Sequence, residues 1–201
     1  MQGRIYISGA FTNVCTSKCG GKNGWIENDP HFWTMPPTWG ICRTDFRRKV
    51  GEDDYVFFVL PKASPLPQMI YGYFKVEDNV THLEAYGKLK RKRMNKNKNP
   101  NGNIIVTGNG RYNRRGDNGT HKDRFEGIKE NYVIGDRKDY EFLLDRNGRP
   151  TPKFSKLSDS FLPMLKKVFK TNKDSVYSII GRKGRVLSEG QVKQLLVWLR
   201  K

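Results

Sequence analysis

Residues 38–76 read TWGICRTDFRRKVGEDDYVFFVLPKASPLPQMIYGYFKV and hold three beta-like runs: 40–43 (GICR), 54–60 (DYVFFVL) and 70–76 (IYGYFKV). The middle run is apolar on both faces and rich in aromatic and β-branched residues, the pattern of a strand covered on both sides. The acidic turn Gly51-Glu52-Asp53-Asp54 starts it, and Pro61, Pro65 and Pro67 stop it, because proline offers no ladder donor. Gly72 interrupts the third run, and a missing side chain there predicts a bulge or the close approach of another group.

Upstream, residues 3–11 alternate as a first strand, with Ile5 and Ile7 on one face and Tyr6 and Ser8 on the other. Residues 12–37 carry glycines and prolines without periodicity, together with Trp25, Phe32 and Trp33, and Trp39 follows just after. Aromatics in such a loop either pack on the core as a lid or form a binding wall. Downstream, 78–86 is short, polar and helix-compatible. Residues 88–98 then place seven basic side chains in eleven positions, among them Lys90, Arg91, Lys92 and Arg93, before an Asn/Gly/Pro tract. Such a run gains a role when phosphates neutralise it, and otherwise solubilises.

A fourth strand is expected at 103–107, leading into 108–121, where four glycines and three asparagines surround Arg111, Arg114 and Arg115. Backbone amides freed by glycine, beside guanidinium forks, suit phosphate oxygens and base edges. Residues 131–145 offer one or two more strands, and 146–152 (RNGRPTP) breaks the chain. Beyond it the apolar spacing is helical: Phe161, Leu162, Leu165, Val168 and Phe169, then Val176, Ile179 and Ile180, then Val192, Leu195, Leu196 and Leu199. Ser188 with Gln191 three residues on reads as the capping box of the last helix. The organisation expected is a domain over 1–148 with a basic insertion at 87–103, and a basic helical extension over 149–201.

With 201 residues the chain can bury one real core. Its net charge of +18 is confined to two segments: 86–124 carries twelve cations against two anions and 153–201 twelve against three, while the rest is near neutral. A neutral scaffold with two basic surfaces points to a polyanionic partner, nucleic acid first. No apolar run reaches the roughly 18 residues of a membrane span, and the N-terminus lacks a basic-then-apolar leader. Neither a membrane partner nor secretion is expected, and the cytoplasm is the expected compartment. Cys15, Cys19 and Cys42 form an odd set suited to a reducing compartment. With His31 they could complete four zinc ligands, but the spacing is not that of paired knuckles, so ordinary thiols and no metal or cofactor are the expectation.

Neither a phosphate-cradling GxxxxGK[ST] loop, nor a dinucleotide fingerprint, nor a GxSxG elbow is present. Asp117, His121 and Asp123 fall in one loop and could serve a nuclease, although such clusters are common by chance in a charged protein. The sequence argues for binding over turnover.

The pieces Trp39-Gly40-Ile41-Cys42, Gly51-Glu52-Asp53-Asp54-Tyr55-Val56 and Ile70-Tyr71-Gly72-Tyr73-Phe74 resemble, in this order, PUA-like domains, the group of the EVE, ASCH and YTH modules, and within it nucleotide-modification-associated families. The resemblance spans roughly residues 3–145. It implies an α+β fold, a twisted β-barrel with flanking helices whose pocket accepts one extruded, often modified base. Trp25, Trp33, Trp39 and Tyr71 would then form the aromatic wall; Asp45, Asn109 or Ser8 would read the base edge; and Arg43, Arg111, Arg114 and Arg115 would grip phosphates. Stacking and edge hydrogen bonds are how a flipped base is held. The basic insertion and the helical extension depart from the family's minimal pattern. The expected function is recognition of a modified or flipped base in nucleic acid, DNA favoured over RNA, in DNA modification or phage defence, with any catalysis left to a protein partner. The alternative is a nuclease or base-modifying enzyme.

Overall fold

The computed structural model describes residues 1–8, 29–62, 64, 66–95, 97, 101–145 and 148–201. The chain is α+β, built on a curled, mixed six-stranded sheet of order β2-β5-β4-β3-β1-β6. Its strands are β1 (Gly3–Ile7), β2 (Thr38–Trp39), β3 (Tyr55–Val59), β4 (Ile70–Val80), β5 (Tyr132–Phe142) and β6 (Arg185–Leu187). The ladder is open, with β2 and β6 at its ends, and the curled sheet makes a half-barrel, in line with part of the twisted β-barrel that the resemblance implied. Two compact units divide the chain: Met1–Ile26, Asp53–Lys75 and Tyr140–Lys201 in one, Glu27–Glu52 and Val76–Asp139 in the other.

In the first unit, β3 is buried at all five positions, as its two-faced apolar run requires. It pairs in parallel with β1, from Gly3 opposite Tyr55 to Ile7 opposite Val59, and antiparallel with β4. The β3–β4 register shifts between Phe58, opposite Gly72, and Val59, opposite Ile70, so Tyr71 is the extra residue of a bulge beside the glycine that announced it. Asp53 takes a left-handed φ of 66° in the acidic turn, and its carboxylate meets Lys75 Nζ at 2.6 Å. The helices are α5 (Pro152–Ser158), α6 (Phe161–Phe169), α7 (Val176–Ile180) and α8 (Glu189–Leu199). Ser188 and Gln191 cap α8 reciprocally, and Trp198 stacks on Phe161 with ring centroids 5.6 Å apart. The short β6 lies in a basic stretch with no alternating pattern. It forms because Leu187 is buried opposite Gly3 and because the Arg185 guanidinium sits over the Phe169 ring, 4.5 Å from its centroid.

In the second unit two expectations change. Residues 40–43 do not form a strand: β2 stops at Trp39, the chain bends, and α1 (Thr44–Arg47) follows. The cause is Asp29, whose carboxylate accepts the backbone N–H groups of Gly40, Ile41 and Cys42, so a neighbouring strand finds no donors there. Residues 103–107 likewise make isolated bridges, Ile104 with Arg93 and Val106 with Tyr112, in place of a strand. A capping box of Thr81 and Glu84 opens α2 (His82–Lys88), and two one-turn helices follow, α3 (Arg114–Asp117) and α4 (Phe125–Ile128). Ala85, Ile104, Val106, Tyr132 and Ile134 form one apolar cluster and Ile41, Met94, Ile105 and Ile128 another.

Candidate nucleic-acid interface

The second unit is held by a network of buried polar groups that hydrogen-bond one another. Beside the three amides, Asp29 accepts from Asn103 Nδ2 at 3.0 Å. Asn103 Oδ1 in turn accepts from the Tyr132 hydroxyl at 2.5 Å and Thr38 Oγ1 at 3.1 Å. Arg47, fully buried, donates to the carbonyls of Cys42 and Ile41 at 3.0 and 3.1 Å. Burial pushes the Asp29 carboxyl above the usual range, while the Arg47 charge and the donated hydrogen bonds pull the other way. His82 sets the far side: Nε2 lies 2.7 Å from Gly40 O, and Nδ1 accepts from Ile105 N at 3.2 Å, which fixes the Nε2–H tautomer. Burial lowers its pKa to about 3, against the pull of the Gly40 carbonyl, so the ring is neutral.

This frame carries the basic segment. Lys92, predicted as a phosphate ligand, is 1 % exposed, and its ammonium donates to the carbonyls of His31 at 3.1 Å and Thr34 at 2.5 Å. Burial drives the Lys92 pKa well below the ordinary lysine value. A Cβ at Gly102 would stand 2.1 Å from Lys92 O, so only glycine lets the two backbones meet. Arg93 is turned inward as well, donating twice to Tyr86 O with its guanidinium 3.8 Å from the Tyr86 ring centroid. Lys90 and Arg91, exposed on the same 3-10 turn, make no ion pair among the described residues.

Next to that turn opens a cleft of about 830 Å³. Met94, Asn95, Asn97 and Asn118 line it with Arg114 and Arg115. Both arginines are exposed, and neither makes a side-chain hydrogen bond or ion pair among the described residues. Asn113 and Gly116 close the wall, with Asn113 Nδ2 bonded to Met94 O at 2.9 Å and its Oδ1 capping Gly116 N at 3.0 Å. An open polar cleft with two unengaged guanidinium forks and several amides can bind phosphate oxygens and base edges together.

Asp117 lies between the cleft residues Gly116 and Asn118 and is itself buried. It accepts from the Tyr112 hydroxyl, from His121 N at 2.8 Å, and pairs with His121 Nδ1 at 2.8 Å. Burial raises the Asp117 carboxyl, but the hydrogen bonds from His121 and Tyr112 outweigh it and hold it below the ordinary value. Burial, with Asp117 as hydrogen-bond partner, pushes Tyr112 up to about 12. His121 Nε2 has no partner among the described residues. Asp123 sits exposed on a separate 3-10 turn, and no group of three His, Cys, Asp or Glu among the described residues could hold a metal.

Among the described residues, several of those expected around one base are engaged elsewhere. Trp39 and Tyr71 are core side chains at 0 % and 1 % exposure, and Ser8 is buried too. Asp45 and Arg43 pair with each other, Nε to Oδ1 at 2.9 Å and Nη2 to Oδ2 at 2.7 Å, rather than standing as edge reader and phosphate grip. Asn109 is exposed but closes its own turn, accepting from Thr107 Oγ1 at 2.5 Å. Arg111 is exposed with an unengaged guanidinium among the described residues. Trp33 is half-buried; Trp25, Cys15 and Cys19 lie outside the described residues. Of the remaining zinc candidates, His31 is buried with Nε2 3.2 Å from Thr34 Oγ1, and Cys42 is exposed.

Sequence reasoning did not single out Asp29, Arg47, His82 or Asn103. Their signal was faint: charged or amide residues beside Pro30, Phe46, Thr81 and Ile104, with no periodicity to mark them as internal. No family model, curated protein or solved structure significantly matches this chain. Among the described residues, no helix is long and apolar enough to cross a membrane.

Proposed function

We propose that this protein is a nucleic-acid-binding module whose phosphate-gripping surface is the cleft of Arg114 and Arg115 with the neighbouring Lys90, Arg91 and Arg111. The observation that carries the proposal is the pair of unengaged guanidinium groups in an asparagine-lined cleft, within a segment of net charge +10. The PUA-like resemblance adds selection of a modified or extruded base, with DNA the favoured polymer, and Trp33 is the one aromatic of the implied wall that is described and half-exposed. The test is equilibrium binding to duplexes with and without modified cytosine, adenine or thymine over a salt series. Arg114→Ala with Arg115→Ala should weaken every duplex alike and reduce the salt slope by about two, one per phosphate contact. Trp33→Ala should leave that slope and reduce the preference for the modified base. An unchanged slope in the double arginine variant would overturn the cleft assignment, and equal binding to all duplexes would remove the base-selective part.

A second reading, strand cleavage, draws on the Asp117–His121 pair. A buried carboxylate holding Nδ1 and leaving Nε2 open is the arrangement of a general base. Cleavage of single-stranded RNA or DNA that disappears in His121→Ala while the unfolding transition stays in place would support it; no cleavage by the wild type would exclude it.

A further inference from the structure

In the first unit, well separated in sequence from the arginine cleft, α6 and α8 leave a groove of about 270 Å³. Met164, Val197 and Trp198 form its apolar lining, and Lys167, Lys193 and Lys201 border it. Val197 is the most exposed large apolar side chain among the described residues, at 66 %. Only an edge of Trp198 reaches the groove, since its ring stacks on Phe161 and its Nε1 donates to Ser160 Oγ at 3.1 Å. The floor is therefore rigid. Lys193 and Val197 lie four apart on α8, so the helix presents a cation and an apolar side chain along one line, and Lys201, just past the helix end, adds a second cation to the rim. Lys193 meets Glu189 at 2.6 Å in an exposed pair, which water or a new carboxylate exchanges at little cost, and Lys167 makes no ion pair among the described residues.

We propose that this groove docks an acidic amphipathic helix of a partner protein. The volume lies just under the roughly 300 Å³ at which small-molecule sites begin, so what enters is one or two side chains of a larger body. A helix laying its apolar side chains into the space between two helices supplies them at i, i+3 and i+4. Its flanking carboxylates meet lysines on both walls, and no Asp or Glu is among the described residues that line the groove. A nucleic-acid backbone would satisfy the lysines but leave Met164 and Val197 against water. A flat anionic membrane would meet the rim without filling the recess. Charge complementarity and concavity together select the acidic helix.

The test uses the full chain without nucleic acid, by calorimetry or labelled-peptide anisotropy at physiological salt. The probe is a synthetic helical peptide with Leu and Phe at i, i+3 and i+7 flanked by Glu; one control has Lys in place of every Glu, and another has Ser in place of the apolar residues. The expected result is saturable binding of the first peptide alone. It should weaken tenfold or more in Val197→Asp and in Lys167→Glu with Lys193→Glu, and the latter variant should now accept the Lys-flanked peptide. All three positions are exposed, so the variants should unfold at the wild-type denaturant midpoint. No binding by the acidic peptide overturns the proposal, and so does equal binding of the apolar-deleted control, which would leave a general polyanion surface. Binding of anionic vesicles that Val197→Asp abolishes, in the absence of peptide binding, overturns it in favour of a membrane surface.

Discussion

Asn103 Nδ2 donates to Asp29 Oδ1 at 3.0 Å across 74 residues of chain. The contact joins the start of the unit to the far side of the basic insertion, and it is made inside a protein interior where neither group has water to fall back on. Asn103→Ala leaves an Asp29 lone pair, the Tyr132 hydroxyl and Thr38 Oγ1 without this partner, and should cost about 3 kcal/mol in denaturant unfolding. Asn103→Asp keeps the shape but sets a second carboxyl beside the first. It should be more destabilising at neutral pH and recover part of the loss on acidification, as one carboxyl takes a proton.

Protonation of His82 should make the fold acid-sensitive in a defined window. Its pKa falls from 6.5 in the unfolded chain to about 3 in the fold, so between those values the unfolded state binds more protons. Stability from this group is complete above pH 6.5 and declines as pH falls toward 3, by up to about 1.4 kcal/mol per unit. His31, lowered by burial and then by Lys92, acts in the same direction; Asp29, raised by burial, acts oppositely above its unfolded value of 3.8. Urea titrations from pH 7 to 4.5 should show net loss. A flat profile would mean that His82 is not held neutral.

Two glycines should respond oppositely to the same substitution. Gly102→Ala drives a methyl into the Lys92 backbone and should destabilise by about 2–3 kcal/mol, since a backbone contact cannot rotate away. Gly87→Ala, inside α2 with nothing within 4 Å of the added methyl, should be neutral or stabilise by up to about 1 kcal/mol. Thermal unfolding of the pair checks both.

Neighbouring basic residues should separate into structural and binding classes. Lys92→Met preserves bulk but strips the His31 and Thr34 carbonyls of their donor, and should cost about 2 kcal/mol. Arg91→Ala should leave stability within about 0.5 kcal/mol and weaken nucleic-acid binding with a shallower salt slope. If Lys92→Met left the unfolding midpoint untouched, the anchoring role assigned to Lys92 would fall.

How much of this was legible follows from which interactions carry a local signature. The β3 strand, the Gly72 bulge and the Ser188 capping box could be read because their causes lie within a few residues: two-faced apolarity, a missing Cβ, a hydroxyl three residues before a glutamine. The fate of 40–43 could not, because the group that takes its amides is Asp29, eleven residues upstream of the first of them. The apolar run at 103–107 misled for a related reason: its Ile105 amide goes to a histidine ring, not a strand. For the site, counting charge marked the segment of Arg114 and Arg115, which the structure places exposed, but could not distinguish Arg91 from Lys92, adjacent residues of like charge. Of the expected aromatic wall, Trp39 and Tyr71 are taken up by the core.

The buried ammonium of Lys92 also changes what kind of ligand-binding element the basic run would be under the proposed function. A free cationic tail surrenders conformational freedom whenever it closes on a polyanion, and that loss subtracts from its affinity. Pinned at its middle to residues 31 and 34, the run holds Lys90 and Arg91 in place before any ligand arrives, so each phosphate contact they would make under the proposed function is discounted less by ordering entropy. Releasing that pin should therefore weaken binding with an entropic signature, even though Lys92 itself touches no phosphate.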